Sequence, residues 1–577
     1  MAANAQKLYQ RYEELRLERS GFIDVWKEIS RLFCPGRYRD DTSTDYHLTP
    51  YSLDSRLVNS TGVLALRSLA AGMHGGMTSP VRPWFRLIAQ NTNELPEGVN
   101  RWLDMATQTL QSVLHQSNFY NAVHGLYADV GAFGTALMVE TADASGIQFY
   151  LANPGEFVLD INSSGEVDTF YRRLYMTARQ IVDKFPAANI PDAVKNCAKD
   201  MRNAAARFDV IHAVYPRSDF KSTNRASATK ATEKPYASVY FLPGSSTSSY
   251  GGLSGLGGNL SILEESGYND FPGFAPRWEI SGSDRYGLSP AMQVLPDVKM
   301  LQSITQTVRK SQHVLVDPPL VIDQSLRATG VRLVPGGLSY FDSTRTGTTP
   351  VAPIYQPNPQ MVEAGLAIMR EVEETVNSGM YVDLFRVFLD DQRLNLTATE
   401  VNARNSEKLV MLGPVVERLH KELLSPLVRR TLALCVEWGA IPPLQGIDVA
   451  LDIKFESVLA QAQAYALTAS IEQSVAFAAN AVQLDPGAFD NIDLDAAIQN
   501  YASRAGAPTS ILREPQAIAQ IREQRAQQQA QQEEIAMGQQ AVQEAALAGQ
   551  AAESLSKART DNPSVLQNLL GGISGGL

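Results

Sequence analysis

Asp390 and Asp391 are adjacent carboxylates in MYVDLFRVFLDDQRL, followed by Gln392, Arg393 and, further on, Glu400. Paired carboxylates on a loop can hold Mg²⁺, and Glu400 would complete a cluster able to serve a metal-dependent DNA-processing enzyme. Exposed Asp-Asp pairs are common, and a solvated loop is the ordinary reading. The histidines, His47, His74, His115, His124, His212, His313 and His420, form no HxxxH or HExxH pair, so their spacing supports no metal centre. Cys34, Cys197 and Cys435 lie far apart without a CxxC, which disfavours a disulfide scaffold and a cysteine zinc site. No serine-hydrolase elbow joins a strand-like to a helix-like segment, and no Walker A sequence is present. GSSTSSYGGLSGLGG (244–258) faintly resembles a phosphate loop but lacks GK[ST] and the strand-to-helix setting, so it reads as an exposed flexible loop. Neither catalysis, nor a metal, nor a cofactor is expected.

The elements around these residues belong to a long acidic chain. At 577 residues there is room for several domains of roughly 150 residues each. Hydrophobic residues make up 44% and charged residues 19%, ample for real cores. The net charge of -11 disfavours a protein that simply coats DNA or RNA. The first twenty residues are charged and lack an apolar h-region, so no secretory signal is expected. The best apolar run, GVLALRSLAAGM, is broken by Arg67, so no membrane span is expected either. The composition suits a soluble protein of a reducing cytoplasm.

Periodicity predicts an α+β chain. Leu8, Tyr12, Leu15, Phe22, Trp26, Ile29 and Phe33 form one apolar stripe over 1–33, ended by Pro35-Gly36. Residues 56–77 read as helix stopped by Gly75-Gly76, before the extended SPVRPWFRL and a short strand. Helices over 100–140 run into the strand ALMVE. From 147 the period falls to two, and FYLA, EFVLD and VDTFYRRLYM read as one meander. Thr177 caps ARQIVDKF, and DVIHAVY, ASVYFLP, NLSILEES and APRWEIS read as further strands.

After 282 the pattern changes. Ser289 caps and Pro290 opens a helix reaching about 313, with Pro296 kinking or restarting it. A strand-and-turn insert over 314–355 precedes a second helix at 358–379, and 380–394 reads as loop or broken helix. A long pattern over 397–438 opens with a Thr397/Glu400 capping box and should kink at Gly413-Pro414 and Pro426. The strand IDVALDIKF follows, then helices at 457–483 and 493–504. The Gln/Ala/Glu-rich 513–555 is a good intrinsic helix with weak apolar spacing, stable when packed with copies of itself, and GGISGGL reads as disordered. The first long helix ends in Arg309-Lys310, whereas the second carries Glu363, Glu371, Glu373 and Glu374 against Arg370. Opposite signs suit packing between neighbouring helices or subunits; two independently solvated faces fit the spacing equally.

RSGFIDVWKEISRLFCPGR, SLAAGMHGGMTSPVRPWFRL, SNFYNAVHGLYADVGAFGTALMVE, FYRRLYMTARQIVDKF, DRYGLSPAMQVLPDVKMLQ and RLNLTATEV occur in this order. With them the chain, over about 8–510, resembles the portal (head-to-tail connecting) proteins of podovirus-type tailed bacteriophages. The resemblance implies a homo-oligomeric ring of about twelve subunits at one capsid vertex. It implies a portal-protein fold: an α+β wing (1–285), stem helices (286–313 and 358–379), a small α/β clip between them (314–357) and a tunnel loop (380–396). A kinked channel-to-wing helix and strand (397–456), a helical crown (457–512) and a C-terminal barrel or disordered tail (513–577) complete it. Double-stranded DNA would pass through without sequence preference during packaging and ejection. The partners implied are the large terminase subunit, scaffolding protein, major capsid protein, tail adaptor proteins and internal ejection proteins. The site would be the virion, after assembly in the host cytoplasm.

Residues placed by the resemblance nearest DNA are Arg309 and Lys310 on the stem and Asp390, Asp391, Gln392 and Arg393 on the tunnel loop. Arg327, Arg332, Tyr340 and Arg345 would mark the clip interface. DNA that must slide should not be gripped, since each phosphate neutralised adds binding free energy, and an acidic chain suits that wall. The rival readings are the metal-dependent enzyme built on Asp390, Asp391 and Glu400, and another ring-forming tail component.

Overall fold

The computed structural model describes residues 5–38, 57–89, 98–143, 146–186, 188, 190–200, 203, 206–217, 234–243, 260–317, 320–322, 351–353, 358–389, 412–443, 451–456, 474–479, 493–504 and 515–561. The Gly/Ser segment 244–258, residues 390–411 and the last residues therefore lie outside the description, together with most of 314–355 and of 457–483. The chain forms two compact units, Met1–Leu467 and Thr468–Leu577.

In the first unit, α1 (Ala5–Phe33) joins two cores because its stripe continues over its whole length. Leu8, Tyr12 and Leu15 pack with Val158, Tyr171 and Phe241 in one core, while Trp26, Ile29 and Phe33 enter the other. Between them the buried Arg19 donates to the carbonyls of Gly155 (3.0 Å) and Phe157 (2.6 Å). α2 (Thr61–Met77) ends at Met77, directly after Gly75-Gly76 and at the expected residue, but starts later than the expected 56. Met73 and Met77 are buried, and that packing outweighs the roughly 1 kcal/mol per glycine lost in propensity. β1 (Phe85–Ala89), α3 (Val99–Gln116) and α4 (Phe119–Phe133) follow. Gly134 ends α4 at φ +76°, where a Cβ would overlap the carbonyl of Gly287, so only glycine fits.

The strands divide into separate sheets. β2 (Met138–Asp143) lies between β3 (Gly146–Leu151) and the two-residue β9 (Gly273–Phe274). β4 (Phe157–Ile161), β5 (Val167–Thr177), β6 (Arg207–Pro216), β7 (Tyr236–Leu242) and β8 (Ser261–Tyr268) form a five-stranded antiparallel sheet in chain order. The expected single meander is thus broken between β3 and β4, where a turn at 154–156 carries the chain from one sheet to the other and is held by Arg19. α5 (Ala178–Lys184) starts at the expected Thr177, which forms a full capping box with Gln180. α6 (Asp192–Lys199) lies where periodicity assigned nothing.

APRWEIS is not a strand; it makes only isolated bridges, Thr135↔Arg277 and Glu279↔Leu288. Arg277 has its backbone N–H on Glu422 Oε2 (2.9 Å) and its Nη2 on Glu422 Oε1 (2.7 Å), so a side chain takes what a ladder would use. Short α7 (Pro290–Gln293) precedes α8 (Leu295–Val316), which restarts around Pro296 as expected and runs past 313. β10 (Leu320–Ile322) and β11 (Val351–Pro353) pair antiparallel. α9 (Pro359–Gly379) is followed by α10 (Val382–Leu389), so part of the segment read as loop or broken helix is a regular helix.

Residues 412–419 are helical, His420–Leu424 make one π turn, and α11 (Ser425–Glu437) continues. The expected irregularity at Pro426 takes this form because proline offers no N–H to the carbonyl four residues back, and the Ser425 N–H reaches the His420 carbonyl instead. β12 (Leu451–Phe455) pairs with β1, closing the chain onto its beginning. In the second unit, α12 (Leu494–Arg504) is joined to α13 (Pro515–Asp561) by a bidentate Arg522–Asp495 pair. Among the described residues no helix is long and apolar enough to cross a membrane.

The π turn stacks the His420 ring on Phe455 (4.0 Å, 10°), and burial pulls its pKa from 6.5 to about 4. The unfolded chain therefore binds the extra proton first. His420 supports the fold fully above about 6.5, and that support is lost as pH falls toward 4. Glu140, pushed by burial to about 7, acts in the opposite sense, because its folded form holds a proton that the unfolded chain releases. His420→Phe keeps a ring on Phe455 and removes the titration. Between pH 7 and 4.5 the native protein should lose about 2–3 kcal/mol relative to His420→Phe. Parallel thermal melts at the two pH values measure the difference, and equal shifts would remove His420 from the account.

Candidate nucleic-acid interface

The two long helices flanking the insert form an antiparallel pair, and local sequence starts each of them. Ser289 Oγ accepts from Met292 N (3.0 Å) while donating to the Ala132 carbonyl (2.7 Å), which ties α7 to α4. Asn358 Oδ1 accepts from Gln360 N (3.0 Å), with Pro359 at the first position of α9. Leu295, Val298, Leu301, Thr305 and Val308 are buried on α8, and Val362, Val372 and Val376 on α9. Two glycines of α9 set the approach. A Cβ at Gly365 would lie 2.9 Å from Val308 Cγ2, and one at Gly379 would overlap Val294. Thr305 Oγ1 meets Met369 Sδ at 3.5 Å between these points.

A polar clamp joins this pair to the entry of α2. Gln302 Oε1 accepts from the N–H groups of Val58 and Asn59 (both 2.9 Å), and Gln302 Nε2 donates to the Asn59 carbonyl (2.7 Å). Asn59 Nδ2 donates to Glu373 Oε1 (3.1 Å), and Lys299 pairs with Glu28 of α1. Sequence reading did not mark Asn59 or Gln302, and marked Glu373 only as one of the α9 acids, because their significance lies in meeting across more than 240 residues. Behind the pair, the 412–437 helix is fixed by buried ions. Arg277 holds Glu422, and Arg430 Nε lies 3.1 Å from Glu140 Oε2 while Thr431 Oγ1 donates to Glu140 Oε1 (3.1 Å).

Of the residues singled out from the sequence, Arg309 and Lys310 stand exposed on α8, without an ion-pair partner among the described residues. Glu363, Glu371, Glu374 and Arg370 are exposed on α9, while Glu373 is half-buried in the clamp. Asp390, Asp391, Gln392, Arg393 and Glu400, and the insert residues Arg327, Arg332, Tyr340 and Arg345, lie outside the described residues. Among the described residues no group of three or more His, Cys, Asp or Glu could hold a metal ion. The arrangement is a clamped helix pair with charged outer faces, joined to a mixed α+β body.

Residues 5–512 match the family described as bacteriophage head to tail connecting protein. The chain belongs to this family. It is 34% identical to a "Probable portal protein" of Bordetella phage BPP-1 over 567 residues, 95% of this chain and 94% of that one. It is 33% identical to a "Portal protein" of Salmonella phage epsilon15 over 571 residues, 97% of each chain. A chain from the virion of a native gene transfer agent particle aligns at 10% identity and a TM-score of 0.28, over 72% of this chain and 85% of that one. The family implied by the quoted segments is therefore the right one, and the α+β portal-protein fold agrees with it.

Gly72 of α2 governs where α10 sits and so where the chain leaves toward Asp390. A Cβ at Gly72 would overlap the buried Phe385 ring. Glycine to alanine inside a helix ordinarily stabilises by about 0.5–1 kcal/mol. Here Gly72→Ala should instead lower the melting temperature, and Gly72→Ala with Phe385→Ala should be no worse than Phe385→Ala alone. A simple gain in stability from Gly72→Ala would show that this contact does not position α10.

Proposed function

We propose that the chain is the subunit of a portal, a ring at one capsid vertex through which double-stranded DNA is packaged and ejected. The observation that carries this reading is its alignment with two chains named as portal proteins over nearly their whole lengths. The helix pair supports it, since a straight, clamped pair of helices repeated around an axis makes the wall of a channel. The acidity of the chain supports it too, because a wall with few free cations lets DNA slide.

In this reading 1–285 is the wing, α8 and α9 are the stem and 314–357 is the clip. The segment 380–396 is the tunnel loop, with Asp390, Asp391, Gln392 and Arg393 beside the DNA. Residues 397–456 connect channel to wing, 457–512 form the crown, and α13 lies in a C-terminal barrel. The clip, through Arg327, Arg332, Tyr340 and Arg345, takes the large terminase subunit during packaging and tail adaptor proteins afterwards. Scaffolding and major capsid proteins meet the ring during assembly in the host cytoplasm, and internal ejection proteins meet it inside the head. The subunit is a conduit without catalysis of its own; the names of its relatives favour that over a metal-dependent enzyme. Arg309 and Lys310 are exposed stem cations without an ion-pair partner among the described residues, able to turn toward the channel or toward the next copy.

Native mass followed by negative-stain imaging tests the reading. The expected result is a mass near twelve times 63.0 kDa, with rings around a hole wider than a DNA duplex of about 20 Å. A stable monomer or dimer that cleaves DNA with Mg²⁺, and loses that activity in Asp390→Ala, would overturn it.

A further inference from the structure

We infer that the outer face of α8 docks on the outer face of α9 in a second copy of the chain, Arg309 and Lys310 meeting the partner's acidic face. This rests on the ring reading and specifies the contact that builds the ring. α8 contains no acidic residue after Asp297, so its exposed side is basic toward the insert. On α9, Glu363, Glu371 and Glu374 are spaced at i, i+8 and i+11, which places them on one face, opposite the buried Val362, Val372 and Val376. None of these five charged side chains has an ion-pair partner among the described residues.

The contact within one chain cannot satisfy them. α8 and α9 meet through valines, glycines and the Thr305–Met369 contact, and this turns the charged faces outward. Glu371 and Glu374 stand three residues apart, where like charges repel; Arg370, four residues before Glu374 on the same face, offsets one of the three carboxylates and leaves the face net negative. Apolar side chains also stand exposed on both helices. Met300 of α8 is 44% exposed, and Met361 and Ile368 of α9 are 72% and 49% exposed. DNA could neutralise Arg309 and Lys310 but would be repelled by the glutamates of α9. A second copy covers both faces at once. A basic face on one helix and an acidic face on the other is a head-to-tail relation, the kind that closes into rings rather than two-fold dimers. Charges at the edge of such a contact chiefly set register and salt sensitivity.

A mixing experiment isolates the contact. Arg309→Glu with Lys310→Glu makes one variant, acidic on both faces. Glu371→Lys with Glu374→Lys makes the other, basic on both. Circular dichroism and melting of each establish that it folds. Each alone should associate about tenfold or more weakly than the native chain by sedimentation velocity. An equimolar mixture should assemble again, because every contact between unlike chains regains opposite charges. Contacts inside one chain cannot produce recovery on mixing. Native rings together with unimpaired assembly of both variants would overturn the contact and leave the ring standing, as would folded, impaired variants that fail to recover when mixed. A native chain that stays monomeric at every concentration would instead overturn the ring reading itself.

Discussion

The close approach of α8 and α9 constrains much of the first unit. Two helices can run this near one another only where side chains are missing, and Gly365 and Gly379 supply those gaps opposite Val308 and Val294. The antiparallel register that results brings Thr305 to Met369 and puts Gln302 beside Glu373 and the backbone of Val58 and Asn59. The beginning of α2 is thereby fixed to the pair, and α2 in turn leaves room at Gly72 for Phe385. The end of α8, the start of α9 and the place of α10 all follow from one helix–helix contact.

Charge is used in two distinct ways. Inside the body, ions act as joints between elements distant in sequence: Arg37 with Asp129, Arg277 with Glu422, Arg430 with Glu140. Such pairs are costly to break because the survivor is left buried, so they hold geometry more than they add net stability. On the outer faces of α8 and α9 the charges are exposed and segregated by sign, which suits recognition by something outside the subunit. For a head to tail connecting protein this division is mechanically sensible. In the proposed portal the body would stay rigid while DNA moves past it, whereas the faces between subunits would find one register and keep it.

Local events were legible in the sequence because they depend on residues a few positions apart. The α1 stripe, the caps at Thr177 and Ser289, the restart at Pro296 and the irregularity before Pro426 each follow from side chains close to one another in sequence. The opposite signs of the two long helices were legible for the same reason, being a property of each helix by itself. Family membership came from the order of six segments, none of which is decisive alone.

Tertiary structure decided whatever depends on partners far away in the chain. A period of two describes β3 and β4 equally, yet only the turn held by Arg19 sends them to different sheets. APRWEIS has strand-like residues, but Glu422 captures the backbone of Arg277 and leaves isolated bridges. The pairing of β1 with β12, and the roles of Asn59, Gln302 and Glu373, leave no local trace at all. The sequence by itself determined which segments fold and with what charge; which of them meet was settled by packing, because the favourable free energy of a contact exists only once both surfaces have left water.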